Sequence, residues 1–225
     1  MTTLAARAYP QITWDTSTTL DSLRVIACAI VLLSHVYEFS TGNLNNPVNE
    51  TISYIAVACF FFISGWVNTH SIRTRNSTKQ FYEKRFFRIV PTYVFALVLG
   101  AVVFILVGGN PLEYLSNLVF LNPFFGTIPT NAPLWSLPYE IYLYALLPLL
   151  LGSSWYWSRF AFVLLILLFT LLGHPFLFVA FYMGCLCYSF GLQLPRLNLF
   201  SKYGKHTYEI YVFHYPLMIL LWGLF

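Results

Sequence analysis

The chain has 225 residues, 58% hydrophobic and 20% aromatic, with only 9% charged (12 Lys+Arg against 8 Asp+Glu). Soluble domains carry about 25% charged residues, so a soluble globular enzyme is excluded because the surface could not be covered. A disordered chain is excluded because such chains are poor in apolar residues and rich in charge. A mean hydropathy of +0.68 leaves an all-α, polytopic membrane protein as the fold class. The four cysteines, Cys28, Cys59, Cys185 and Cys187, lie inside apolar runs and read as buried thiols, not as a disulfide framework.

A membrane-spanning helix needs about 20 mostly apolar residues. By that rule the chain offers seven spans, at 22–40, 51–69, 90–108, 134–151, 159–173, 175–191 and 207–225. The fifth and sixth are parted only by Gly173-His174-Pro175, so they form either a tight hairpin or one broken element. Residues 111–126 are apolar but short, with Pro123 near their end, and read as a re-entrant or interfacial segment. Lys and Arg accumulate in cytoplasmic connections. With the N-terminus cytoplasmic, all 12 basic residues fall on the inner side, and the outer segment 109–133 holds only Glu113. No soluble domain fits, so residues 1–225 read as a single transmembrane domain. The Asn-x-Ser/Thr sequons at Asn49 and Asn76 read as chance matches.

Ionisable groups inside spans are expensive and face a cavity or a partner. In the first span Arg24 and His35 are eleven residues apart, three helical turns, on one face and about 16 Å apart along the axis. Glu38, three residues beyond His35, either orients the imidazole or sits at the outer interface. In the second connection Arg85 and Arg88 stand immediately before Pro91, which suits the first turn of the third helix. Their guanidinium forks match phosphate oxygens, and Arg73 and Arg75 in the same connection join them as candidate anion contacts. Glu140 lies about six residues inside the outer end of the fourth span. Its depth by that count, about 9 Å, equals that of His35. His214 in the last span reads equally as a packing residue or a site residue. No metal is expected, because the His-x-x-Glu spacing occurs once.

Five segments in chain order, LDSLRVIACAIVLLSH, CFFFISGW, KRFFRIVPTY, NAPLWSLPYEIYLY and GKHTYEIYVFHYP, resemble the acyltransferase-3 family of integral membrane acyltransferases. The resemblance spans residues 20 to 216. It implies that His35 is the catalytic histidine of an Arg-x10-His pair with Arg24, and that Arg85 and Arg88 lie on the acyl-CoA side. It also matches Ser64-Gly65 to the family's Ser-Gly pair, and Trp135 to Glu140 to its Trp-Ser-Leu-x-x-Glu stretch. Family members similar to this chain have about ten spans, so the resemblance implies a compact or shortened member.

The expected function is a membrane O-acyltransferase in a bacterial cytoplasmic (inner) membrane. It moves an acetyl or other short acyl group from cytoplasmic acetyl-CoA to a hydroxyl of a glycan or lipid-linked saccharide reached from the outer side. His35, Glu38 and Glu140 are the catalytic candidates, and Arg24, Arg85, Arg88, Arg73, Arg75 and Ser64 the donor-binding ones. Membrane lipids are the expected surroundings, and nucleic acid is not an expected partner. The competing expectation is a transporter of a lipid-linked sugar or small ion, with buried His and Glu as relay groups. The inverted or parallel repeats of many transporter folds are not visible in this sequence.

Overall fold

The computed structural model describes residues 13–44, 46–74, 77–106, 120–125, 129–152 and 154–222. Among them there is no strand, as a membrane segment requires when every backbone group must find its partner within the element. The long helices are α1 (Trp14–Thr41), α2 (Pro47–Arg73) and α3 (Thr78–Leu106), followed by α4 (Leu137–Leu150), α5 (Trp155–Leu171), α6 (Pro175–Ser189) and α7 (Thr207–Trp222). Tight 3-10 turns at Pro129–Ser136 and Ser201–His206 lead into α4 and α7.

Among the described residues only α1, α2 and α3 are both long and apolar enough to cross a membrane, while α5 and α6 are shorter apolar helices. Each of the seven apolar runs therefore lies on a helix, but helix length alone carries three spans and not seven. The arrangement of side chains is that of a membrane interior. Leu33, Phe86, Phe87, Phe95, Leu106, Leu167 and Leu171 are exposed, whereas Asn68, Thr69, Asn131, Ser136 and His214 are buried. Polar groups gather inside because lipid offers them no hydrogen bonds.

Two features differ from the sequence reading, and a third decides between two alternatives it left open. First, α3 starts at Thr78, twelve residues before the apolar run, so Arg85 and Arg88 sit on a helix already formed, with Pro91 inside it. The apolar rule marks only the hydrocarbon part of a helix that extends into the headgroups. Second, residues 134–136, expected to open the fourth span, belong to the 3-10 turn, which is kinked at Asn131 with φ −147° and ψ 54°, and Asn131, Leu134 and Ser136 are buried before α4 begins. Irregular backbone at membrane depth is tolerated where protein surrounds it. Asn131 donates from Nδ2 to the carbonyl of Ala96 at 3.2 Å. Third, α5 and α6 form a tight hairpin through Gly173 at φ +80°, with the His174 N–H donating to the Phe169 carbonyl at 2.8 Å. The re-entrant segment 111–126 lies mostly outside the described residues. Of it, only Phe120–Phe125 are described, with a four-residue helical turn at Asn122–Phe125.

Two contacts fix α1 and α2. A Cβ on Gly65 would run into the Phe181 carbonyl, and one on Gly184 into the Phe62 carbonyl, so these two glycines let α2 and α6 pack backbone to backbone. The extended stretch after α6 straps the start of α1. Thr19 Oγ1 donates to the Pro195 carbonyl and accepts from the Leu197 N–H, both at 3.0 Å. Ser22 Oγ accepts from the Leu199 N–H, also at 3.0 Å.

Candidate active site

Two polar constellations occupy different levels of the bundle. The first surrounds a cavity with about 770 Å³ of empty space including its mouth. Its walls bring together Arg24 from α1, Ser64 and Asn68 from α2, Arg85 and Arg88 from α3, and Glu140 from α4. The three-residue spacing of Arg85 and Arg88 places both on one face of α3, as the sequence predicts. Arg24 is paired with Asp21, one helical turn before it, at 2.5 Å. Ser64 Oγ donates to Glu140 Oε1 at 2.8 Å, and the Tyr144 hydroxyl donates to the same oxygen. Glu140 also stands in the first turn of α4, where the helix dipole favours a negative charge. Three guanidinium groups against one carboxylate leave the cavity walls net positive, which suits an anionic ligand.

The second constellation surrounds His35. Its Nδ1–H donates to Glu38 Oε2 at 2.7 Å, and Asn49 Nδ2 donates to Glu38 Oε1 at 3.0 Å and to the Ser34 carbonyl at 3.3 Å. A carboxylate that takes the Nδ1 proton fixes the tautomer, so Nε2 keeps its lone pair and is free to act as a base. His35 and Glu38 are 15% and 14% exposed, sheltered enough to strengthen their attraction while leaving an approach. His214 and Tyr215 from α7 pack on the His35 ring with centroids at 5.3 and 4.9 Å.

The expectation that His35 and Glu140 share one depth is corrected. Glu38, the partner of His35, is held by Asn49, whereas Glu140 is held by Ser64. Fifteen residues of α2 separate these two anchors, about 22 Å along the axis. Glu140 is deeper because the chain is already buried at Asn131, three residues before the expected span, so counting from the outer end of that span starts too late. It is Glu38 that orients His35, and Glu140 belongs with the arginines. Arg73 ends α2 outside the cavity wall, and Arg75 lies outside the described residues.

Several neighbours escaped the sequence reading although they carry a local signal. Asp21 is three residues before Arg24, and Tyr144 is four after Glu140, both one turn away on the same face. Asn49, read only as a sequon, has no such signal because it meets Glu38 across two helices. Trp135 packs with His174 at 4.7 Å and stacks on Tyr54 at 6.2 Å. Burial pushes the His174 imidazole below its ordinary value.

The two levels are joined along α7. Thr207, Tyr208 and Tyr211 line the cavity, and the Tyr211 ring lies 6.1 Å from that of His214. On α2 the cavity wall runs from Asn68 up to Val57, eleven residues or about 16 Å.

The family model for an acyltransferase domain matches residues 18–185. Nodulation protein 10 of Rhizobium leguminosarum bv. viciae is 27% identical over 168 residues, which cover 62% of this chain and 45% of that protein. Acyltransferase MdmB of Streptomyces mycarofaciens is 30% identical over 139 residues, 57% of this chain and 36% of that protein. The matched stretches thus span less than half the length of these curated relatives. No solved structure matches. The family match runs from the first turns of α1 through most of α6, and with it the chain belongs to the acyltransferase-3 family.

Proposed function

We propose that the chain is a membrane O-acyltransferase with a two-ended site: acyl-CoA enters from the cytoplasm, and a hydroxyl-bearing acceptor arrives from the outer side. The observation that carries this reading is the separation of the arginine-lined cavity from the His35–Glu38 pair within one bundle. Arg24 and His35 are eleven residues apart on α1, about 16 Å, a gap suited to the long pantetheine arm of CoA. Positive-inside orientation places Arg24, Arg85 and Arg88 toward the cytoplasm, with the N-terminus inside and the apolar helices spanning a bacterial inner membrane as one domain.

In this reading the three arginines hold the CoA phosphates, and the arm rises past Ser64 and Tyr211 toward His35. His35 Nε2 takes the proton of the acceptor hydroxyl as general base. The oxygen bonds to the thioester carbon, the C–S bond breaks, and the CoA thiolate leaves and is then protonated. Glu38 stabilises the imidazolium while it exists. The acceptor is a glycan or lipid-linked saccharide hydroxyl, and the acyl group is acetyl or another short chain. The test is mass spectrometry of surface glycans from cells with and without the expressed gene. An added acyl mass on a glycan is the expected result, and identical spectra together with no acetyl-CoA binding by the purified protein would refute it.

A further inference from the structure

Two imidazoles face each other across α1 and α7, and only one is accounted for by the reaction above. The Nδ1 of His214 contacts the carbonyl oxygens of Tyr211 at 2.8 Å and Ile210 at 3.2 Å. A carbonyl only accepts, so these bonds place the proton on Nδ1 and leave Nε2 with an unprotonated lone pair. His214 is 6% exposed, and its Nε2 is shut off from solvent with no hydrogen-bond partner among the described residues. A buried acceptor left unpaired loses its hydration without recompense, and packing alone gives no reason for it, since an apolar ring would fill the same space. The His35 ring is 5.3 Å away, centroid to centroid, at a tilt of 31°.

We infer that His214 is the positioning partner of His35, its Nε2 lone pair reserved for the proton that His35 acquires during acyl transfer. This rests on the acyl-transfer reading. In the resting site both Nε2 atoms carry lone pairs, because both Nδ1–H groups are engaged elsewhere. When His35 Nε2 has taken the hydroxyl proton, the imidazolium N–H turns to His214 Nε2, with which it makes no bond in the resting site, and then gives the proton to the departing thiolate. No further reactant is needed. Among the described residues, the charged and titratable groups around the pair are Glu38 on α1 and Tyr211 and Tyr215 on α7, with neutral Asn49 behind Glu38. The carboxylate beside His35 keeps the positive charge on that ring, which makes His214 the acceptor and not the base.

The test compares the unaltered full chain with His214→Gln and His214→Phe, reading free thiol released from acetyl-CoA with water standing in for the acceptor. Gln extends an amide to about the reach of Nε2 and restores an acceptor, whereas Phe keeps the ring volume and has none. His214→Phe should lower kcat about 10- to 100-fold, the loss expected when an ionised group gives up one hydrogen bond, with KM for acetyl-CoA unchanged. His214→Gln should recover most of the rate. A packing role gives the reverse order, with Phe active and Gln impaired, and that order overturns the inference. An unaltered protein that releases no thiol overturns the acyl-CoA reading and the pairing with it. An active unaltered protein matched by His214→Phe overturns the pairing alone.

Discussion

Replacing Glu38 by Gln tests the His35 constellation with almost no change in shape. The carboxylate accepts on both oxygens, from His35 at 2.7 Å and from Asn49 at 3.0 Å. Gln offers one acceptor and one donor, so one of the two N–H groups must then face another N–H. If Asn49 keeps the oxygen, His35 loses both its tautomer lock and the negative charge that stabilises its imidazolium. A hydrogen bond to a charged group contributes about 1.5–3 kcal/mol, and each 1.36 kcal/mol is tenfold in rate, so kcat should fall about 10- to 150-fold. The assay is thiol release from acetyl-CoA by the purified chain, paired with calorimetric titration of acetyl-CoA. The dissociation constant should not move, because the arginines that hold the donor lie at the other end of the site, Arg24 about 16 Å from His35 along α1. Unchanged kcat, or a loss confined to acetyl-CoA affinity, would refute the assignment of Glu38 as the group that orients His35.

The arginine cavity makes its own prediction: Arg85→Gln with Arg88→Gln should weaken acetyl-CoA binding at least tenfold, as expected from two lost charge-assisted contacts, while the thermal unfolding midpoint stays in place. Equal affinity in that variant would remove the arginines from donor binding. Gly65→Ala forces a methyl group into the Phe181 carbonyl, so α2 and α6 must part; overpacking of this kind costs about 1–3 kcal/mol. A clear drop in unfolding midpoint in detergent is the expected result, and an unshifted midpoint would contradict the close approach. Gly204→Ala presses on Asp21, the partner of Arg24, and should weaken acetyl-CoA binding through that pair without altering His35; titration calorimetry reads the difference.

The helices were legible in the sequence because in a membrane apolar content is itself the signal, and each of the seven runs coincides with a helix. What the runs could not show is where a helix continues beyond the hydrocarbon, as α1 does back to Trp14 and α3 back to Thr78. In the site, residues one turn apart were legible: His35 with Glu38, and Arg85 with Arg88. Glu140 was legible as a buried carboxylate but was placed at the wrong depth, because the count began at residue 134 whereas the chain is already inside the bundle at Asn131. Asn49 and His214 reach their partners from other helices. No period within one segment encodes a contact between helices, so those two needed the packed bundle.

The central claim is that His35 carries out acyl transfer from a donor bound elsewhere in the bundle. The most direct measurement uses acetyl-CoA with an isotopically labelled acetyl group, the purified full chain and its His35→Ala variant, following both bound donor and released thiol. The account predicts that both proteins bind acetyl-CoA with the same dissociation constant and that only the unaltered one releases thiol. Thiol release by His35→Ala at the unaltered rate would contradict it.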